Sequence, residues 1–237
     1  MSETALAILL LTAASIGLTH TLIGPDHYVP FIAIARARRW TIRRTLAVTG
    51  ACGLGHVLSS VAIGVIGLAL GTALSRLEAI ERSRGELASW ALIAFGIGYG
   101  LWGLRRARHG HDHTHRHLGG IETSRPHGHI HLPGGRHVEE GDTRSITFWT
   151  LVIVFVLGPC EPLIPLVMFP AARHDWTAVA LVTAAFGLAT VGTMGAVVYG
   201  GLRGLSLLRG RALERYSHAL AGGIIVLAGT AIRVFGI

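Results

Sequence analysis

Charge is scarce in this 237-residue chain: 14% of its residues are charged and 51% hydrophobic, and the mean hydropathy is +0.53. So little polar material cannot cover a water-facing globule, which excludes an ordinary soluble domain. Cysteine is nearly absent as well. Cys52 and Cys160 both fall in apolar segments, so there is no exported disulfide framework and the redox compartment stays open. Lysine is missing altogether, leaving arginine to carry the basic charge and a formal net charge of +8. A nucleic-acid binder would gather its arginines into one continuous patch. Here they are sorted between alternate loops, and no nucleotide-binding motif is present to couple ATP to work.

What the sequence has instead is long apolar runs. Crossing roughly 30 Å of hydrocarbon takes about 20 helical residues, and six runs qualify, near residues 4–35, 45–71, 87–104, 146–170, 177–200 and 213–236. The first is about twice as long as a signal-peptide apolar region. It has Glu3 rather than basic residues before it and lacks a convincing cleavage site, so it reads as a retained first helix. Arg36, Arg38, Arg39, Arg43 and Arg44 follow it, seven arginines lie in the central loop and four in residues 201–215, against three and one in the two intervening loops. This bias puts the basic loops in the cytoplasm and both termini outside.

Residues 105–145 form the one large compositional break, polar and rich in Gly and His, and read as a cytoplasmic linker. Across it the chain repeats. Gly24-Pro25-Asp26-His27 aligns with Gly158-Pro159-Cys160-Glu161 at a shift of 134, and the same shift lays Ala51-Cys52-Gly53-Leu54-Gly55-His56 on Ala185-Phe186-Gly187-Leu188-Ala189-Thr190. Each half, 1–104 and 146–237, holds three expected spans. An odd number makes the second copy enter the membrane from the opposite side, which is an inverted repeat. Such repeats place substrate near the midplane, at helices broken in corresponding positions, and the two Gly-Pro sequences are the corresponding breaks. The pairs Gly67/Gly71 and Gly96/Gly100 have the spacing of helix-packing contacts.

Within these spans the clear acids are Asp26 and Glu161, one residue apart in the repeat alignment. An ionisable group at that depth is a functional candidate unless it only caps amides at its proline break or is protonated. His20 and His27 lie seven residues apart, about 10 Å along a straight helix, too far to share an ion whose donors sit about 2 Å away. Unwinding at Gly24-Pro25 would bring both imidazoles together. His56, beside Gly53 and Gly55, is a third buried imidazole, read either as a core histidine or as a further ligand. Three imidazoles and a carboxylate suit nickel, cobalt or zinc better than magnesium or calcium. Cys160, at the repeat position of Asp26, is a soft-metal thiolate or a small buried residue. A Cys52–Cys160 redox pair would occupy different repeat positions. The linker carries His109, His111, His113, His115, His117, His127, His129, His131 and His137, a tract that binds metal by composition, whether to deliver, sense or buffer it.

The His-Thr-Leu-Ile-Gly-Pro-Asp-His segment from His20, the Gly-Leu-Gly-His ending at His56, the histidine-rich loop and the Gly-Pro-Cys-Glu-Pro from Gly158 resemble the NicO-type nickel/cobalt exporters and UreH-like membrane proteins. That resemblance implies a six-helix transporter of the bacterial inner membrane with ligands at His20, Asp26, His27 and His56. Uptake permeases for these metals typically place four residues between the first histidine and the Asp-His, whereas five stand here, which favours the exporter branch. The proline-flanked breaks also look like those of the CcdA and DsbD thiol carriers of the same broad superfamily, without their paired cysteines.

The expectation is therefore an all-α membrane protein with six transmembrane helices in two inverted three-helix repeats. It would be a secondary transporter rather than an enzyme, with a divalent metal ion as substrate, the bilayer as surroundings, no organic cofactor, and compatibility with a homo-oligomer. His20, Asp26, His27 and His56 would coordinate in transit, with Cys160 and Glu161 facing them and Glu161 supplying charge or proton coupling. Rival readings are an exporter of a small anion such as sulfite, drawn to helix N-termini, a membrane thiol carrier, and a metal sensor or metalloenzyme assembly factor anchored by its spans.

Overall fold

The computed structural model describes residues 2–109, 140–205 and 214–235, and every regular element among them is helical. The first half runs α1 (Glu3–Ile23), a 3-10 turn (Pro25–His27), α2 (Val29–Ala37), α3 (Ile42–Ala69) and α4 (Leu74–His109). The second runs α5 (Glu140–Leu157), α6 (Leu163–Ala172), α7 (Trp176–Leu205) and α8 (Ser217–Phe235). Among the described residues α1, α3, α4, α7 and α8 are long and apolar enough to cross a bilayer, which marks an integral membrane protein. Two of the six expected runs are divided. The first breaks after Ile23, and the run near 146–170 breaks at Gly158, leaving the apolar helices Thr147–Leu157 and Leu163–Ala172, each shorter than a bilayer-crossing helix.

The breaks follow from proline. Pro25 and Pro159 have no N–H, so the helix preceding each loses a hydrogen bond where its next turn would form. The short helices α2 and α6 then end alike. After α2, Arg39 takes a positive φ of 51° and the Trp40 N–H bonds back to the Ala35 carbonyl at 2.9 Å; after α6, His174 takes 57° and the Asp175 N–H bonds to the Pro170 carbonyl at 3.1 Å. These left-handed ends satisfy otherwise orphaned carbonyls. The long helix that follows is capped by a side chain each time. The Thr41 hydroxyl accepts from the Arg44 N–H at 3.3 Å, and the Asp175 carboxylate from the Ala178 N–H at 3.0 Å.

Close backbone approaches fix the helix directions. A Cβ on Gly222 would lie 2.4 Å from the Gly100 Cα, one on Gly103 2.5 Å from the Ala219 nitrogen, and one on Gly229 2.9 Å from Ile93. As the numbers rise along α4 they fall along α8, so the two helices pack antiparallel. The same holds for α3 and α7, where Gly53 meets Val191 and Met194 and Gly187 meets Val57. Gly96 and Gly100 thus make the contact their spacing predicts, because small residues let backbones approach where lipid supplies no hydrophobic drive. Of the other pair, Gly67 packs against Leu77, while Gly71 has open space around it and a φ of +64°. It is a turn residue rather than a packing one.

Two apolar clusters flank the breaks. Phe31, Ile34, Leu151, Phe155, Met194 and Ile225 form one, and Ala13, Val57, Leu163, Val182 and Phe186 anchor the other. Helix α1 lies mainly along α7, and α5 packs against α3. One boundary differs consequentially from the expected run 87–104: α4 begins at Leu74, which brings Glu81 and Arg84 into the helix and into the protein interior.

Candidate metal centre

The last regular helical bond of α1 runs from the Gly24 N–H to the His20 carbonyl at 3.0 Å. Pro25 then turns the chain into one 3-10 turn, closed by the His27 N–H on the Gly24 carbonyl at 3.2 Å. The turn swings His27 back towards the helix it has just left. The His20 and His27 ring centroids lie 4.8 Å apart, and His56 from α3 completes the group at 5.1 Å from His27 and 6.3 Å from His20. One potential ligand atom from each of the three lies within 4.8 Å of the others. Donors about 2 Å from one ion stand roughly 3–4 Å apart, so a shift on the order of an ångström closes the triangle.

Hydrogen bonding fixes which nitrogen is offered. The His27 Nδ1 lies 3.0 Å from the Asp26 Oδ1 and 3.2 Å from the Gly24 carbonyl, and the His56 Nδ1 lies 3.4 Å from the Phe155 carbonyl. A carboxylate and carbonyls accept here, so each Nδ1 carries a proton, and in the neutral ring Nε2 is the nitrogen that holds the lone pair. Among the described residues the Nε2 atoms of His20, His27 and His56 are all buried without a hydrogen-bond partner. A buried polar atom left unpaired is uncommon, and three in one cluster are a set of donors in want of a ligand. The backing of an imidazole by a carboxylate or carbonyl is also how metal-ligating histidines are oriented.

The other residues expected at the site occupy different positions. Asp26 is partly exposed and has its Oδ1 on His27, so it stands behind a donor rather than among the three. Cys160 is fully buried, with its backbone N–H held from α3 and α4, and it is not part of the donor group. Glu161 is exposed but lines the same cavity as the histidines. That cavity, about 710 Å³, extends from the triad to Glu86 and Arg233, an ion pair at 3.7 Å that joins α4 to α8. His109 closes α4, while His111, His113, His115, His117, His127, His129, His131 and His137 lie outside the described residues. Cys52 and Cys160 are free thiols in different apolar clusters.

Sequence reasoning missed Glu81, Arg84 and Ser60. Glu81 is completely buried and paired with Arg84 one turn later. The signal was present as an acid and a base at i and i+3, but it lay among Arg76, Glu78, Arg82 and Glu86 and looked like a polar loop.

Comparison of the chain with family models, curated proteins and solved structures finds no match.

Proposed function

We propose that the protein is a secondary transporter of a divalent transition-metal ion, nickel or cobalt before zinc, with His20, His27 and His56 as the transit site. The observation that carries this reading is the triad of buried, unpartnered Nε2 atoms at a proline-broken helix. Imidazole donors favour borderline ions over magnesium or calcium. The cavity leading from the triad to Glu86 and Arg233 supports access rather than a sealed structural site, and the short-motif resemblance to nickel/cobalt exporters adds efflux as the direction.

The architecture we infer is two inverted repeats with six crossings, the fourth made jointly by α5 and α6. Three features support it: the matched Gly-Pro breaks, the matched left-handed ends of α2 and α6, and the antiparallel packing of the corresponding pairs α3/α7 and α4/α8. The arginine bias then puts both termini outside and the histidine-rich linker in the cytoplasm of a bacterial inner membrane.

The test is flux of nickel, cobalt and zinc in proteoliposomes containing the full chain. Saturable flux of one of these ions, with magnesium excluded, is expected. Absence of flux for all three in folded protein would overturn the proposal. Deleting residues 109–137 should weaken apparent affinity and leave flux, because that tract has the composition of a polar linker and not of a span.

A further inference from the structure

The second break carries no histidine, yet it is the more elaborately held. In an unbroken helix the Val156 carbonyl would accept from the Cys160 N–H, the Phe155 carbonyl from residue 159 and the Gly158 carbonyl from residue 162. Residues 159 and 162 are prolines, so the Phe155 and Gly158 carbonyls have no such donor. The bend also parts Val156 from Cys160. Inside an apolar span each of these groups is expensive to leave unpaired.

The Glu81–Arg84 pair supplies both missing partners. The Glu81 Oε2 accepts from the Cys160 N–H at 3.0 Å and from the Ser60 hydroxyl at 2.9 Å. The Arg84 Nη2 donates to the Val156 carbonyl at 2.6 Å, the Gly158 carbonyl at 3.3 Å and the Ser59 hydroxyl at 2.8 Å. Acid and base have thus entered one severed backbone hydrogen bond, each taking the side its charge allows. The Phe155 carbonyl, denied a donor at Pro159, accepts from the Gly158 N–H at 3.1 Å and receives the His56 Nδ1–H at 3.4 Å as well. Gly158 lies against the same ring, since a Cβ there would be 3.2 Å from the His56 Nδ1.

We infer that Glu81 and Arg84 are positioning residues for the metal centre: they clasp residues 156–160, and that segment fixes the orientation and tautomer of His56. This rests on the reading of the triad as a metal site. A buried ion pair is costly to keep, and the geometry gives it a specific task, to hold a bent backbone in one place behind a ligand. Ser60 belongs to the same clasp, with its hydroxyl 3.1 Å from the Cys160 nitrogen and 3.4 Å from the Arg84 Nη1.

The experiment uses the full purified chain, with cobalt(II) as probe and its visible ligand-field absorption as readout. The variant is Glu81→Leu with Arg84→Met, which removes both charges and strands neither. Apparent cobalt affinity should fall about 10- to 100-fold, the range for losing a ligand's orienting partners, with a changed absorption envelope. In a His56→Ala background the same pair of substitutions should cost less than about 2-fold, because coupled residues are not additive. An equal loss in both backgrounds would mean a general structural role and would overturn the inference.

A metal-independent readout accompanies it. With Cys52 replaced by Ala, maleimide labelling of the buried Cys160 should be slow in the parent and at least about 10-fold faster when the clasp is removed, as local opening becomes easier. An unchanged labelling rate would sink the clasp. Parent protein that binds no cobalt would end the metal reading and the role assigned to His56, while faster labelling would still support the clasp. Should the double variant not fold, Ser59→Ala with Ser60→Ala should shift both readouts in the same directions by a few-fold, and no shift in either would count against it.

Discussion

The two proline breaks solve the same backbone problem with different resources. At the first, the local chain does most of the work: the 3-10 turn closes on itself, the His27 ring returns to the Gly24 carbonyl, and the Tyr28 hydroxyl reaches the Leu22 carbonyl at 3.3 Å. At the second, the corresponding carbonyl, Val156, is served by Arg84 from α4. The difference teaches that a single polar atom cannot both satisfy the backbone and wait for a ligand. At the first break three Nε2 atoms stay unpartnered, so those imidazoles do not cap backbone with that nitrogen. The second break spends its polar partners on the backbone and presents no comparable donor set among the described residues.

The most damaging test of this contrast is His27→Ala, which removes a donor from the first break and no hydrogen bond from the second. Cobalt affinity should drop on the order of 100-fold, a per-ligand share of a typical structural-site binding energy, while maleimide labelling of Cys160 stays at the parent rate. A large rise in labelling would show that the two breaks are not separate devices.

Asp26→Asn comes next. It keeps the volume but removes the negative charge behind His27, and cobalt affinity and flux should fall about 10-fold with folding intact. Unchanged binding would show that the carboxylate only holds the turn.

Alanine at the two break glycines gives a finer comparison. A Cβ on Gly24 would stand 2.6 Å from the His27 Nδ1 and 2.8 Å from the Asp26 Oδ1, whereas on Gly158 the nearest contacts are at 3.2 Å. Gly24→Ala should therefore weaken cobalt binding about 10-fold and Gly158→Ala by about 3-fold or less. The reverse order, read by the same titration, would put the tighter constraint at the second break.

The smallest effect is expected far from either break, at the exposed cap of α7. The hydrogen bond from the Ala178 N–H holds the Asp175 carboxyl below its usual range. Because the folded value is depressed, the cap stabilises the helix above the ordinary carboxylate range and stops doing so as pH falls through the lowered value. Asp175→Ala should lower the thermal midpoint slightly at neutral pH and leave it unchanged in strong acid.

Much of this was legible in the chain. Proline without an N–H predicts both breaks from sequence alone, and the seven-residue spacing of His20 and His27 means that only a break between them lets them share an ion. The Gly96/Gly100 spacing predicts a close backbone contact, and α8 provides it. What could not be read is where a side chain turns once the backbone has bent. Asp26 is adjacent to His27 in sequence, and nothing in that adjacency says whether it joins the donors or stands behind one. Glu81 was hidden for a different reason: its charged neighbours lowered the local hydropathy below that of a span, although its own carboxylate faces inward and theirs do not share its burial. Depth in a membrane protein is set side chain by side chain, and a window average erases it.

The place of Asp26 has a consequence for turnover. In the proposed site three neutral imidazoles would bind a dication without cancelling its charge, and the Asp26 carboxylate would act through the His27 ring. An ion held this way would keep most of its double charge in a poorly polarisable surrounding, so its dwell would be shorter than in an anionic cage. Passage requires binding strong enough to enter and weak enough to leave. If the protein is the carrier proposed above, moving one negative charge from the inner ring of ligands to the outer one trades affinity for rate, to the gain of a protein that must let go of its cargo.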